Sequence, residues 1–302
     1  MKILIFGKFG NIGSALAEEL HARGDFFIQA GKEEVDFRDG GDAALRFLDN
    51  HQPTVVINAA AFTKVDLAEQ MRDEAVQINA VAPGHIAGWC AKNKASLFHY
   101  STDYVFDGDK DGLWRESDQT NPLNVYGKSK LEGEKRILDS GAHALILRTS
   151  WLYAPRGMNF YMTMLKLGQE REQIRVVDDQ IGSPSSARDI ATATLEIIRS
   201  THGEIGESGI FHVCNDGYVS WYQFACEIFK LERQFGRNLK VEHVTAIQTS
   251  DYPTPAKRPL NSKMDTSKIK KTFGIHLNSW DESLAACILQ NIKLSSLGTL
   301  DV

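Results

Sequence analysis

The feature that most restricts this chain is a run of glycines between a strand and a helix. Lys2-Ile3-Leu4-Ile5-Phe6 is apolar enough to be a buried strand, and it leads into Gly7-Lys8-Phe9-Gly10-Asn11-Ile12-Gly13. Residues 12–23 follow with Ile12, Leu16 and Leu20 four apart, the spacing of one helical face. Glycine at 7 suits a tight turn, at 10 it lets backbone approach a pyrophosphate, and at 13 it lets helix and strand pack closely. The helix start adds free N–H groups and the positive end of a dipole. Gly7, Gly10 and Gly13 are therefore candidate dinucleotide-binding residues.

Strand-like and helix-like segments then alternate. Strands are expected at 26–30, 54–61, 96–101 and 144–151, and helices at 42–50, 71–93 and 126–139, with Pro83 as a possible kink. This order predicts an α/β protein with a Rossmann-type doubly wound parallel sheet, its dinucleotide-binding domain spanning 1–151. The second half is less regular. Helices are expected at 157–171 and 189–200, strands at 174–177 and 210–215, and an extended loop at 248–263, which holds three of the eight prolines. Residues 152–302 are expected to form mainly a smaller α/β substrate-binding lobe, with part of it, about 174–215, returning to the main sheet.

Charge and cysteine content exclude several classes. Lys plus Arg is 34 against 39 Asp plus Glu, a net charge of −5. A phosphate backbone or an anionic membrane would be repelled on average, so no nucleic-acid or membrane partner is expected. Cys90, Cys214, Cys226 and Cys287 form no CxxC pair, which fits buried thiols in a reducing cytoplasm. No metal-ligand spacing occurs, and no apolar stretch reaches the ~18 residues of a membrane span.

Two short motifs carry chemistry. Tyr126 and Lys130 are four apart at the start of an expected helix, so phenol and ammonium share a face. The cation is expected to lower the phenol's pKa from ~10 and ready it to protonate a carbonyl oxygen. Ser101-Thr102-Asp103-Tyr104 ends the fourth strand, where ligands of open α/β sheets bind, and a hydroxyl there could hold the substrate oxygen beside Tyr126. After the second strand no acid occupies Ala30 or Gly31, and Lys32 follows. That pattern leans toward NADPH, with NADH possible, because a cation tolerates a 2′-phosphate.

The chain resembles the extended short-chain dehydrogenase/reductases and, within them, the dTDP-4-dehydrorhamnose reductase family. The resemblance spans nearly all of the chain. It rests on GKFGNIG (7–13), NAAAFTKVDLAE (58–69), HYSTDYVFDG (99–108), PLNVYGKSKLEGE (122–134), RTSWLYA (148–154), DDQIGSP (178–184) and YPTPAKRPLNS (252–262). It implies that Tyr126 is the proton donor, Lys130 binds the nicotinamide ribose, and Thr102 supports the reacting oxygen. It further implies that Gly10, Asn11 and Ile12 contact the pyrophosphate and that Asp36, Phe37, Ala61, Phe62, Thr63 and Tyr100 face the cofactor. Thr102, Asp103, Tyr126, Trp151 and, less securely matched, Arg258 are expected to face a dTDP-4-keto-deoxysugar. In some members glutamates of two subunits share a divalent ion. Here Ala15 and Arg188 stand at the matching positions, so a monomer or a homodimer without bridging metal is expected. Two alternatives stay open at this point: a reductase or epimerase of another 4-keto deoxysugar nucleotide, and a non-catalytic regulatory subunit of the same fold.

Overall fold

The computed structural model describes residues 1–206 and 208–297; residue 207 and the end of the expected lobe, 298–302, lie outside the described residues. Among the described residues the main sheet has six strands, all parallel. Its first five in chain order are β1 (Ile3–Phe6), β2 (Phe27–Ala30), β3 (Val55–Asn58), β4 (Ser96–Thr102) and β5 (Ala144–Thr149). In space the order is β2-β1-β3-β4-β5, followed by Gly209–His212 on the outer side of β5.

Each strand alternates its apolar side chains between two layers, which is why the runs read as continuously hydrophobic. Ile3, Ile5, Val55 and Ile57 pack with the Asn11–Ala22 and Ala187–Ser200 helices. Leu4, Phe6 and Val56 pack with the Asp42–His51 and Ala82–Asn93 helices. The chain leaves β2 and crosses to the far side of β1 before entering β3. The carboxyl ends of β1 and β3 thus form the point where the winding reverses, the usual crevice for a ligand in such sheets.

A second core lies outside the sheet. Tyr153, Tyr161, Leu165, Phe224, Ile228, Phe229, Leu284 and Ile288 join helices Phe160–Glu170, Trp221–Gln234 and Trp280–Ser296. Of the segment 174–215 expected to return to the sheet, Ala187–Ser200 and Gly209–His212 do so. Gln173–Val177 instead pairs in parallel with His243–Ile247, outside the main sheet. Its side chains alternate exposed and buried, as in a sheet with one face on a core, and only the long-range partner decides where such a short strand pairs. The proline-rich loop adds one short strand, Asn261–Ser262, beside Ile181–Gly182.

The helix expected at 71–93 is interrupted, but one turn earlier than the proline itself. Arg72–Val76 is α-helical, Gln77–Val81 widens into a π turn, and Ala82–Asn93 resumes the α-helix. Pro83 has no N–H to offer the carbonyl one turn back, and its ring crowds that carbonyl. The widened turn precedes it and carries Asn79, which serves the site described next.

Candidate active site

A cleft of about 800 Å³ opens along the carboxyl ends of β1 to β5 and reaches the second core. At β1, Gly7 has φ +96, and a Cβ there would lie 2.6 Å from the Ala59 carbonyl carbon and 2.7 Å from the Ala60 nitrogen. The turn after β1 and the loop after β3 therefore touch backbone to backbone, which only glycine permits. Gly13 packs against the Gly7 carbonyl, so it lies behind the cleft and sets the helix position. Gly10 is the N-cap of the Asn11–Ala22 helix and brings no capping side chain, leaving the first N–H groups available to an anion. Gly10, Asn11 and Ile12 line the cleft.

Beyond β2 the structure corrects the sequence reading. The turn folds Glu34 back so that its carboxylate accepts the Gly31 N–H at 2.8 Å and faces Lys8 at 3.5 Å. An acid therefore does stand at the strand end, supplied from three residues along. Lys32 lines the cleft as expected, next to Asp36, whose carboxyl is held below its ordinary range first by hydrogen bonding from Arg38. Phe37 is buried edge-on against Phe6.

Ala61 and Thr63 line the cleft after β3, but Phe62 turns away to pack with Ala68 and Ala75. Its main chain is held by Asn79, whose Oδ1 accepts the Phe62 N–H at 2.8 Å and whose Nδ2 donates to the Phe62 carbonyl at 3.1 Å. Asn79 Nδ2 also donates to Ser129 Oγ at 2.9 Å, tying this loop to the helix that carries Tyr126. Nothing in the sequence marked Asn79, because its usefulness depends on the π turn.

The Tyr126 helix, Val125–Asp139, is started by Asn124, whose Oδ1 accepts the Gly127 N–H at 2.8 Å. Tyr126 lines the cleft with Ser101, Thr102 and Asp103, and its ring meets Tyr104 edge-on at 5.8 Å. Thr102 Oγ1 donates to Asp103 Oδ1 at 3.1 Å and accepts the Tyr104 N–H at 3.2 Å. Burial pushes the Asp103 carboxyl up to about 6. Ser101 Oγ and Thr149 Oγ1 are buried with no hydrogen-bond partner among the described residues, and both residues line the cleft.

The expected tuning of Tyr126 by Lys130 is not what the geometry provides. Burial pushes the Tyr126 phenol up to about 12; the Thr102 hydroxyl opposes this and the Asp103 charge adds to it. Lys130 is buried and lies behind the cleft, where its Nζ contacts the Tyr100 carbonyl at 2.5 Å and His99 Nε2 at 3.1 Å. The four-residue spacing does put both side chains on one helical face, but the strand behind captures the amine. Tyr100 is a further correction. Its side chain points to the opposite layer, where its hydroxyl meets Thr194 Oγ1 at 2.7 Å, so only its carbonyl serves the site.

At the lobe end, Trp151 holds the left-handed conformation with φ +48. That is an unusual backbone for a bulky residue, costing ~1–3 kcal/mol, and it persists only where the surroundings hold it. Its ring stacks on Trp221 with centroids 3.5 Å apart and planes 8° apart, and Phe160 lies 4.5 Å from Trp221. All three line the cleft. Trp221, seventy residues from Trp151, gave no sign in the sequence that it belonged here. Arg258 stands apart from the cleft lining. Its guanidinium is engaged by Asp66 at 2.8 and 3.1 Å and by Thr254 Oγ1 at 2.6 Å, which pins the proline-rich loop. Among the described residues no group of three or more His, Cys, Asp or Glu could hold a metal, and no helix is long and apolar enough to cross a membrane. Arg188 makes an ion pair with Glu19 at 3.0 Å.

The comparisons agree with this architecture. Residues 1–292 match the family model described as the RmlD substrate binding domain. The dTDP-4-dehydrorhamnose reductase of Escherichia coli K12 is 40% identical over 283 residues, 93% of this chain and 94% of that protein. The crystal structure of a dTDP-4-dehydrorhamnose reductase from Clostridium acetobutylicum superposes with a TM-score of 0.88 at 37% identity, covering 96% of this chain and 99% of that one. A Bacillus anthracis dTDP-4-dehydrorhamnose reductase, solved in complex with NADP, matches with a TM-score of 0.88 at 34% identity, covering 96% and 99%. The chain belongs to the RmlD family of dTDP-4-dehydrorhamnose reductases.

Proposed function

We propose that this protein reduces the C4 ketone of dTDP-4-dehydro-β-L-rhamnose to dTDP-β-L-rhamnose, the last step of dTDP-L-rhamnose synthesis, with NADPH as hydride donor. The observation that carries this reading is the meeting of a protonated phenol (Tyr126) and a strand-end hydroxyl (Thr102) in one cleft with an uncapped helix N-terminus, in a chain of this family.

The residues present fit a dinucleotide. Gly10, Asn11 and Ile12 would take the pyrophosphate, Asp36 and Phe37 the adenosine end, and Ala61 and Thr63 the stretch between. The partnerless hydroxyls of Ser101 and Thr149 offer hydrogen bonds to a polar group arriving there. NADPH supplies the hydride; the protein supplies the proton and the positioning. A phenol pushed up to about 12 is fully protonated at neutral pH and has a proton to give as negative charge grows on the substrate oxygen. Thr102, beside it, can hydrogen-bond the same oxygen. Trp151 and Trp221 present an aromatic face suited to the C–H side of a sugar ring.

NADH is the second cofactor to be tried. Lys32 would favour a 2′-phosphate, whereas an acid near the end of β2, here Glu34 on the Gly31 N–H, would suit a ribose hydroxyl. Residues 1–151 are taken as the cofactor domain and 152–302 as mainly the substrate lobe. A cytoplasmic location and a monomer or non-metal homodimer complete the proposal; Arg188, paired with Glu19, replaces a potential ligand by a cation.

The test is incubation of the purified protein with NADPH and a panel of 4-keto deoxysugar nucleotides. Oxidation of NADPH with formation of the rhamnose nucleotide is expected. Turnover of a different keto sugar alone would move the assignment to a sibling reductase. Tyr126→Phe should lower kcat by about 10²- to 10⁴-fold while leaving the NADPH Kd in place. Unchanged turnover in that variant would rule out the proton-donor role.

A further inference from the structure

We infer that Phe9 is a cofactor-binding residue, supplying a flat aromatic face for the adenosine end of the dinucleotide. The inference rests on the cofactor reading proposed above and adds a residue to it. Single large apolar side chains are often left in water, and position decides which of them matters. Two phenylalanines are almost equally open here, Phe9 at 71% and Phe26 at 73%. Phe26 precedes β2, at the amino end of the strands, and does not line the cleft. Phe9 lies at the carboxyl end, in the turn after β1, and does line it.

The main chain fixes where the Phe9 ring starts. The Gly7 and Lys8 N–H groups both donate to the Ala30 carbonyl, at 3.0 and 3.2 Å, and the Gly10 N–H donates to the Gly7 carbonyl at 3.0 Å. The turn is thus stitched to the end of β2 just before Phe9 and closed on itself just after. One edge of the ring rests on Gly31: a Cβ there would lie 3.0 Å from Phe9 Cε2 and 3.2 Å from Cδ2. Gly31 leaves room for the ring because it has no side chain, and Glu34 holds its N–H in place. Lys8 Nζ stands over the ring, 5.2 Å from its centroid, and is drawn to Glu34 at 3.5 Å. Gly31 therefore supports an edge, Lys8 takes one face, and the other face stays open.

The surroundings of that face point to its ligand. Next to Phe9 in the chain are Gly10 and Asn11, at the helix start whose free N–H groups suit a pyrophosphate. Lining the same end of the cleft are Lys32 and Asp36, after β2. In a dinucleotide bound across such a sheet, the part beside the pyrophosphate on the β2 side is the adenosine. A purine is planar, and stacking it on an aromatic ring takes both surfaces out of water without requiring directed hydrogen bonds. The hydride-donating ring belongs at the other end of the cleft, beside Tyr126 and Thr102, so it does not compete for Phe9.

The experiment reads binding and not turnover. The full chain is titrated calorimetrically with NADPH and with adenosine 2′,5′-bisphosphate, as wild type and as Phe9→Ser, Phe9→Tyr and Phe26→Ser. Phe9→Ser should raise both Kd values by the same factor, about tenfold, the worth of one base stacked on an aromatic ring. Phe9→Tyr, which keeps the flat face, should stay within about twofold of wild type. Phe26→Ser, equally exposed but away from the cleft, should change neither constant. Wild-type NADPH affinity in Phe9→Ser overturns the inference and leaves the cofactor reading standing. A loss for NADPH without a loss for the bisphosphate also overturns it, because the ring would then serve another part of the cofactor. Equal losses in Phe9→Ser and Phe26→Ser overturn it too, as a general effect of removing surface aromatics. Failure of the wild type to bind either compound overturns the cofactor reading and this inference together.

Discussion

The wall of the cleft proposed to face the cofactor and the aromatic wall are assembled in different ways. The first is made of consecutive strand ends: Gly7 to Ile12 after β1, Lys32 to Phe37 after β2, Ala61 and Thr63 after β3. Each piece is a short motif whose position follows from the sheet behind it. The second joins Trp151, Phe160 and Trp221 from separate segments, and it depends on a left-handed tryptophan. A wall of local turns is rigid because the sheet is; a wall of distant aromatics is held only by the packing of the lobe. Mutations should therefore separate the two.

The largest effect is expected at the first wall. Gly13→Ala drives a methyl into the Gly7 carbonyl, with backbone on both sides and nothing able to give way cheaply. A loss of about 3 kcal/mol in denaturant unfolding is expected, with NADPH affinity falling alongside. A variant of wild-type stability and affinity would show that the turn is looser than this packing implies.

Asp103 sits between the walls and titrates with a defined sign. Its folded pKa of about 6 lies above the ordinary value of 3.8. The carboxyl therefore favours folding fully below about pH 4, and that contribution is lost as pH rises through about 6. Asp103→Asn should be more stable than wild type at pH 8, by on the order of 2 kcal/mol, with the gain vanishing by pH 4. Thermal melts of both proteins across that range give the answer; a gain independent of pH would assign it to packing.

A smaller effect belongs to the aromatic wall. Removing the partner ring in Trp221→Ala should raise the KM for the sugar nucleotide by about tenfold, the worth of one good aromatic contact, and leave the NADPH Kd within about twofold. Equal changes in both constants would mean that the two walls are not separable. The smallest is Asp66→Asn, which weakens the half-exposed ion pair with Arg258 and should cost less than about 1 kcal/mol in unfolding.

Most of the sheet, and the turns whose residues line the first wall, are legible in the sequence. Apolar runs mark β1, β3 and β5, and the four-residue spacing marks Tyr126 and Lys130. What escaped shares a cause. Glu34 was overlooked because a turn carries it back to Gly31, and Asn79 because a π turn aims it at Phe62. Tyr100 was misplaced because neighbouring strand residues face opposite layers, and a one-residue difference separates core from cleft. The strand at 174–177 pairs outside the main sheet, and so short a strand does not name its partner in the sequence.

Local rules were enough to decide where the glycine turn lies, which helix face carries the phenol and the amine, and that a nucleotide could be bound. They act over one turn of chain, so composition and spacing record them directly. The capture of Lys130 by His99 and the Trp151–Trp221 stack belong to contacts between residues 31 and 70 positions apart. Such contacts form only when the whole sheet and lobe have closed, because hydrogen-bond partners and stacking faces are properties of positions in space.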